Sequence, residues 1–138
     1  MIANEVMTRK PVSIKSSAAI RDAIRMLYEL DFRHLPVLDD GELVGMVSDR
    51  DLKSFQVSYA IEQEDPNELI SCLDKPIHSV MQTEVVTVNP ETDLVEVIEQ
   101  MIGNKIGAIP VVELVSGNLC GIISYIDILK VAKDALAD

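Results

Sequence analysis

The chain has 138 residues, 23 acidic against 12 basic side chains, a formal charge of −11, and 48% hydrophobic residues with no Trp and two Phe. Its length bounds it to one compact domain or two small halves sharing an aliphatic core, each half marginal in size by itself. The acidic balance excludes nucleic acid and anionic membrane as main partners, while a small anionic ligand can still bind where a few cations converge.

The opening MIANEVMTRKPV carries no long apolar run, so no signal peptide is expected, and no stretch approaches the roughly 20 apolar residues of a membrane span. Val12–Ile14 reads as a short extended segment after Pro11. Helical periodicity follows, with Ser16 or Ser17 as N-cap and Ile20, Ala23, Ile24, Leu27 and Leu30 on one stripe. Leu35–Leu38 and Leu43–Val47 are short apolar strands, and Asp40-Gly41 between them is a hairpin turn. A helix from Ser48 carries Leu52 and Phe55 inward. The order so far is β-α-β-β-α.

An acidic stretch then holds EQED, with Asp65-Pro66 as N-cap and first helical position of a short helix through Leu69, Ile70 and Leu73. Val85–Val88 is extended again, and Leu94, Val97, Ile98 and Met101 form a second helical stripe. Strands Ile109–Val112 and Leu119–Ile123 are joined through Gly117-Asn118, and a closing helix runs from about Tyr125 toward Ala135. Cys72 and Cys120 have neither metal nor redox spacing; Cys120, in an apolar strand, reads as a buried thiol, and reducing cytoplasm is the expected setting.

The second half repeats the first. A shift of 74 residues places Val6 on Val80, Met7 on Met81, Val12 on Val86, Ile24 on Ile98, and Pro36 on Pro110. After a two-residue insertion the shift becomes 76, and Gly41, Gly45, Ser48 and Asp51 fall on Gly117, Gly121, Ser124 and Asp127. Such a duplication predicts two like subdomains with equivalent clefts between them. Gly45 and Gly121, isolated in strands, predict close backbone approach, and Met7 and Met81 read as core or interface filling. The boundaries expected are residues 1–56 for one unit, 57–76 for the linker and 77–138 for the other.

Two β-α-β-β-α units carrying RHLPVLDDGELVGMVSDRD and GAIPVVELVSGNLCGIISYID resemble the tandem CBS-domain pair, named for cystathionine β-synthase, over roughly Val6–Lys133. The resemblance implies an α/β (α+β) fold with units about a pseudo-twofold axis, sheets inward and helices outward. It also implies a non-catalytic cytoplasmic regulatory module, commonly a homodimer. Its ligands would be adenosine-containing molecules such as AMP, ADP, ATP or S-adenosylmethionine, with no obligatory cofactor. With no effector domain in these 138 residues, the expected target is a separate protein or the dimer itself. The alternative is a ligand-independent dimerisation scaffold.

Carried over from the family, one site combines Ser124 and Asp127 with Val12, Ser13, Arg33, His34 and Pro36. The other combines Ser48, Arg50 and Asp51 with Val86, Thr87, Gly107, Ala108 and Pro110. In these sites a carboxylate can accept from both ribose hydroxyls, and a serine at a helix start can bond a ribose or phosphate oxygen. The same S-x-x-D spacing is also a capping box, and for the serines the two roles coexist. Arg33 and His34 against Gly107 and Ala108 make the sites unequal, the first favouring phosphate. Arg50 and Lys53 could compensate at the other, or be solvated. His34 and His78 lie in no metal spacing, and no nucleophile elbow, P-loop or dinucleotide fingerprint occurs.

Overall fold

In the computed structural model, which describes residues 1–30, 33–62 and 66–137, the elements in chain order are α1 (Ala3–Val6), β1 (Thr8–Arg9), α2 (Ile20–Glu29), β2 (His34–Asp39), β3 (Glu42–Ser48), α3 (Asp49–Glu62), α4 (Pro66–Ser71), α5 (Leu94–Asn104), β4 (Ala108–Val112), β5 (Leu119–Ser124) and α6 (Tyr125–Leu136). Two 3-10 turns, Cys72–Asp74 and Ile77–Ser79, follow α4. The chain divides into two compact units: Val12–Val85, and a split unit of Met1–Pro11 with Val86–Asp138.

Within the 12–85 unit the core gathers Ile14, Ile20, Ala23, Leu27, Leu35, Val37, Val47, Leu52 and Ile77. Apart from Ile77, these are positions in the segments that the sequence pattern marks as apolar, and full burial of each large aliphatic is worth about 1.5–3 kcal/mol. The hairpin β2–β3 closes through Asp40 (φ 51°) and Gly41 (φ 83°), both left-handed as a two-residue hairpin turn requires. The expected first strand shrinks to one residue: Ile14 bridges Val37 in parallel, its N–H donating to Pro36 O at 3.0 Å and its O accepting from Leu38 N at 2.9 Å.

Neither Ser16 nor Ser17 caps α2. The helix starts at Ile20 behind Ala19, which supplies no side-chain cap. Ser16 turns instead to the end of β2, donating its N–H to Asp39 Oδ1 at 3.1 Å and its hydroxyl to Asp39 Oδ2 at 2.5 Å. A charged acceptor across the unit outcompetes the weaker local cap. The expected cap at Asp65 lies outside the described residues.

In the split unit, Ala3, Met7, Val88, Leu94, Val97, Met101, Ile109, Val111 and Ile123 form the core. Its sheet has the order β1-β5-β4. Val88 repeats the role of Ile14, bridging Val111 with bonds of 3.1 Å to Pro110 O and 2.9 Å from Val112 N. Asp93 caps α5 by accepting from Val95 N at 2.8 Å.

Each unit takes its Val-Met segment from the other repeat. Thr8 and Arg9 pair with Ile122 and Gly121 of β5, and Gln82 pairs with Met46 of β3, with two bonds of 2.9 and 2.8 Å. The exchange extends further back along the chain. Ala3 N donates to Thr92 O and Asn4 N to Pro90 O; 74 residues on, Ile77 N donates to Ala18 O and His78 N to Ser16 O. The repeat therefore begins earlier than Val6, at Ile2-Ala3, which correspond to Pro76-Ile77.

Candidate functional site

Both S-x-x-D motifs sit where a strand runs straight into a helix, β3 into α3 and β5 into α6. The first-turn N–H groups of a helix have no intrahelical acceptor, and here the motif supplies two. Ser48 N donates to Asp51 Oδ2 at 3.2 Å, and Asp51 N donates to Ser48 Oγ at 3.0 Å. Ser124 N donates to Asp127 Oδ2 at 2.9 Å, its hydroxyl donates to the same oxygen at 3.2 Å, and Asp127 N donates to Ser124 Oγ at 3.4 Å. Both motifs are thus reciprocal caps, and all four side chains remain half-buried.

Strand register decides what lies beside each cap. His34 stands opposite Ser48, and Asp49 N donates to Arg33 O at 2.9 Å. The residues before Leu-Pro-Val are therefore tied to the first turn of α3. Arg33 is exposed, His34 half-buried and Pro36 buried. Burial holds the His34 imidazole below its ordinary pKa, with Arg33 acting in the same direction and Asp51 opposing both. Lys53 pairs with Asp49 at 3.1 Å and Arg50 is exposed. Gln82, on the exchanged segment, donates from Nε2 to Asp51 Oδ1 at 3.4 Å.

The split unit repeats the backbone of this arrangement without its cations. Ala108 stands opposite Ser124, and Tyr125 N donates to Gly107 O at 2.9 Å. Pro110 is buried, Gly107 and Val86 are half-buried and Thr87 is exposed. In the other unit, Val12 is exposed and Ser13 half-buried just before the Ile14 bridge.

The structure thus brings Arg33, His34, Ser48, Arg50 and Asp51 into one unit, and Gly107, Ala108, Ser124 and Asp127 into the other. The carry-over from the family had joined Arg33 and His34 to Asp127. Gln82, beside Asp51, is a neighbour that sequence reasoning did not single out. Its signal was the position after Met81, which the 74-residue shift matches to Thr8.

The family model of the CBS domain matches residues 3–58 and again 77–134. The chain belongs to the CBS-domain family, as a tandem pair. Its fold matches that of an Arabidopsis thaliana CBS-pair protein, CBSX2, solved in complex with AMP, at 25% identity and TM-score 0.82 over 99% of this chain and 98% of that one. A Vibrio cholerae protein assigned to acetoin utilization (AcuB) is 32% identical, with TM-score 0.82 over 99% of this chain and 93% of that one. An uncharacterized protein of Methanocaldococcus jannaschii is 27% identical over 130 residues, 94% of this chain. The chain spans 46% and 42% of the length of two such curated relatives. In this CBS pair the sequence repeats and the compact units divide the chain differently, because residues 3–11 and 77–85 pack with the opposite repeat.

Among the described residues no helix is long and apolar enough to cross a membrane.

Proposed function

We propose that this CBS pair is a non-catalytic regulatory module that binds an adenosine-containing ligand, an adenine nucleotide or S-adenosylmethionine, using residues of both repeats. The observation that carries the reading is the likeness to CBSX2, solved with AMP, over nearly the whole of both chains. Local chemistry adds support. Asp51 and Asp127 are the acceptors for a ribose diol, and the capping serines and helix N-termini suit a ribose or phosphate oxygen. The resemblance adds Val86, Thr87, Gly107, Ala108 and Pro110 to one site and Val12, Ser13 and Pro36 to the other.

Adjacency within the 12–85 unit favours a revised grouping, in which Arg33 and His34 serve the ligand held by Asp51 rather than by Asp127. Arg33 is then the phosphate-binding cation and His34, largely neutral, a hydrogen-bonding partner. The site of Asp127 prefers adenosine without a multiply charged tail. The setting is cytoplasmic and the assembly a homodimer, whose ligand-dependent geometry is read by a separate effector protein.

A second reading, association without ligand, is favoured by the exposure of Val95 (63%) and Ile102 (72%) on α5 and of Leu129 (57%) and Leu136 (83%) on α6.

Thermal melts with AMP, ADP, ATP, S-adenosylmethionine and NAD, on wild type, Asp51→Ala, Asp127→Ala and Arg33→Ala, test the proposal. A ligand at 100 times its Kd adds about 2.7 kcal/mol, several degrees for a chain of this size. The revised grouping predicts that Arg33→Ala and Asp51→Ala weaken the same phosphate-dependent shift. A flat panel at millimolar ligand leaves the scaffold.

A further inference from the structure

Thr8 and Gln82 occupy equivalent places in the two units yet treat the neighbouring carboxylates differently. Each extends antiparallel to the second hairpin strand, Thr8 opposite Ile122 and Gln82 opposite Met46. In both units the capping serine's N–H occupies Oδ2 of the aspartate. The other oxygen distinguishes them. Gln82 Nε2 donates to Asp51 Oδ1 at 3.4 Å, whereas among the described residues Asp127 Oδ1 accepts no hydrogen bond. Thr8, with its hydroxyl on Cβ, replaces a reaching amide.

We propose that Gln82 is a specificity-determining residue, which makes the Asp51 site more tolerant of deoxyribose than the Asp127 site. The inference rests on the ribose role given to the two aspartates above. A carboxylate that loses a ligand hydroxyl is left with an unpaired acceptor, and that loss is costly when the group is desolvated. At Asp51 the Gln82 amide is positioned to refill the acceptor. Asp127 Oδ1 has no such substitute, so a missing 2′-hydroxyl costs the full bond there.

The test is calorimetric titration of the full chain with AMP and with 2′-deoxy-AMP, reading the ratio of the two Kd values. Asp127→Asn leaves the Asp51 site to be measured and Asp51→Asn leaves the other. The expected ratio is larger in Asp51→Asn. Adding Gln82→Thr to Asp127→Asn should raise that protein's ratio about fivefold, the worth of one hydrogen bond. Adding Thr8→Gln to Asp51→Asn should lower its ratio by a similar factor. If only one site binds, the exchange in that site decides, and Thr8→Gln decides should Gln82→Thr fail to fold by circular dichroism. A ratio unmoved by these exchanges overturns the role of Gln82 while the nucleotide reading stands. Wild type that binds neither nucleotide overturns both.

Discussion

Met81 covers Gly45 so closely that a Cβ added to the glycine would stand 2.7 Å from Met81 Sδ and 2.8 Å from the carbonyl oxygen of Gln82. Met7 covers Gly121 in the same way. The glycine on the second hairpin strand is what lets the Val-Met segment of the other repeat lie down on it. Two residues 36 positions apart, Gly45 and Met81, therefore form one structural device.

Gly45→Ala should destabilise the chain by about 1–3 kcal/mol, the usual cost of overpacking, because the sulfur can move but the Gln82 carbonyl is held in its bridge to Met46. Gly103→Ala is the contrasting case: nothing lies within 4 Å of its Cβ position near the end of α5, and removing a helical glycine gains about 0.5–1 kcal/mol. Urea melts of the two variants should move in opposite directions.

The caps should be unequal. Ser48 Oγ accepts from Asp51 N at 3.0 Å, whereas Ser124 Oγ accepts from Asp127 N at 3.4 Å. Ser48→Ala is expected to cost about 1 kcal/mol or somewhat more, and Ser48→Gly only a few tenths. Ser124→Ala should cost less than Ser48→Ala in the same chemical melts.

His34 predicts a pH dependence. Burial, the largest cause, lowers its folded-state pKa below the ordinary 6.5. A lowered folded pKa means that the unfolded chain binds the proton more readily. Stability is therefore fully present above about 6.5 and declines as pH falls through the folded value. His34→Gln should flatten the slope of stability below pH 6.5. Asp39 acts in the same sense at lower pH, since hydrogen bonds from Ser16 hold its carboxyl below the ordinary 3.8, and Ser16→Ala should weaken that acid limb. Melting temperature against pH for the two variants separates these contributions.

Arg21 and Asp74 pair at 2.6 Å between α2 and the first 3-10 turn, but their side chains are 41% and 67% exposed. Solvent screening limits such a pair to about 0.2–1 kcal/mol. Asp74→Asn should shift stability within that range at low salt and scarcely at all at 1 M salt.

Much of the local structure was legible before any coordinates. Asp40-Gly41 demanded left-handed conformations and has them. Of the two expected stripes, Ile20, Ala23, Leu27, Leu94, Val97 and Met101 are buried and Ile24 and Ile98 half-buried, while Leu30, where α2 ends, is 46% exposed. Gly45 and Gly121 signalled close approach, although not what approaches. Ser16 misled, because a serine ahead of an apolar stripe is a cap by local rules and only the remote Asp39 diverts it.

The sequence by itself determined the period, the β-α-β-β-α order, the hairpins, the reciprocal Ser-Asp caps and the family, since each depends on residues a few positions apart or on the repeat. Tertiary structure decided which copy each segment joins. Two repeats of like pattern offer the same kind of apolar groove twice, so local pattern cannot say whether Met7 lies on Gly45 or on Gly121. The chain path and the register of β1 on β5 settle that it is Gly121. In the other unit the β2–β3 pairing places His34 opposite Ser48, and the bridge of Gln82 to Met46 brings Gln82 to Asp51, a contact across 31 residues that no local pattern encodes.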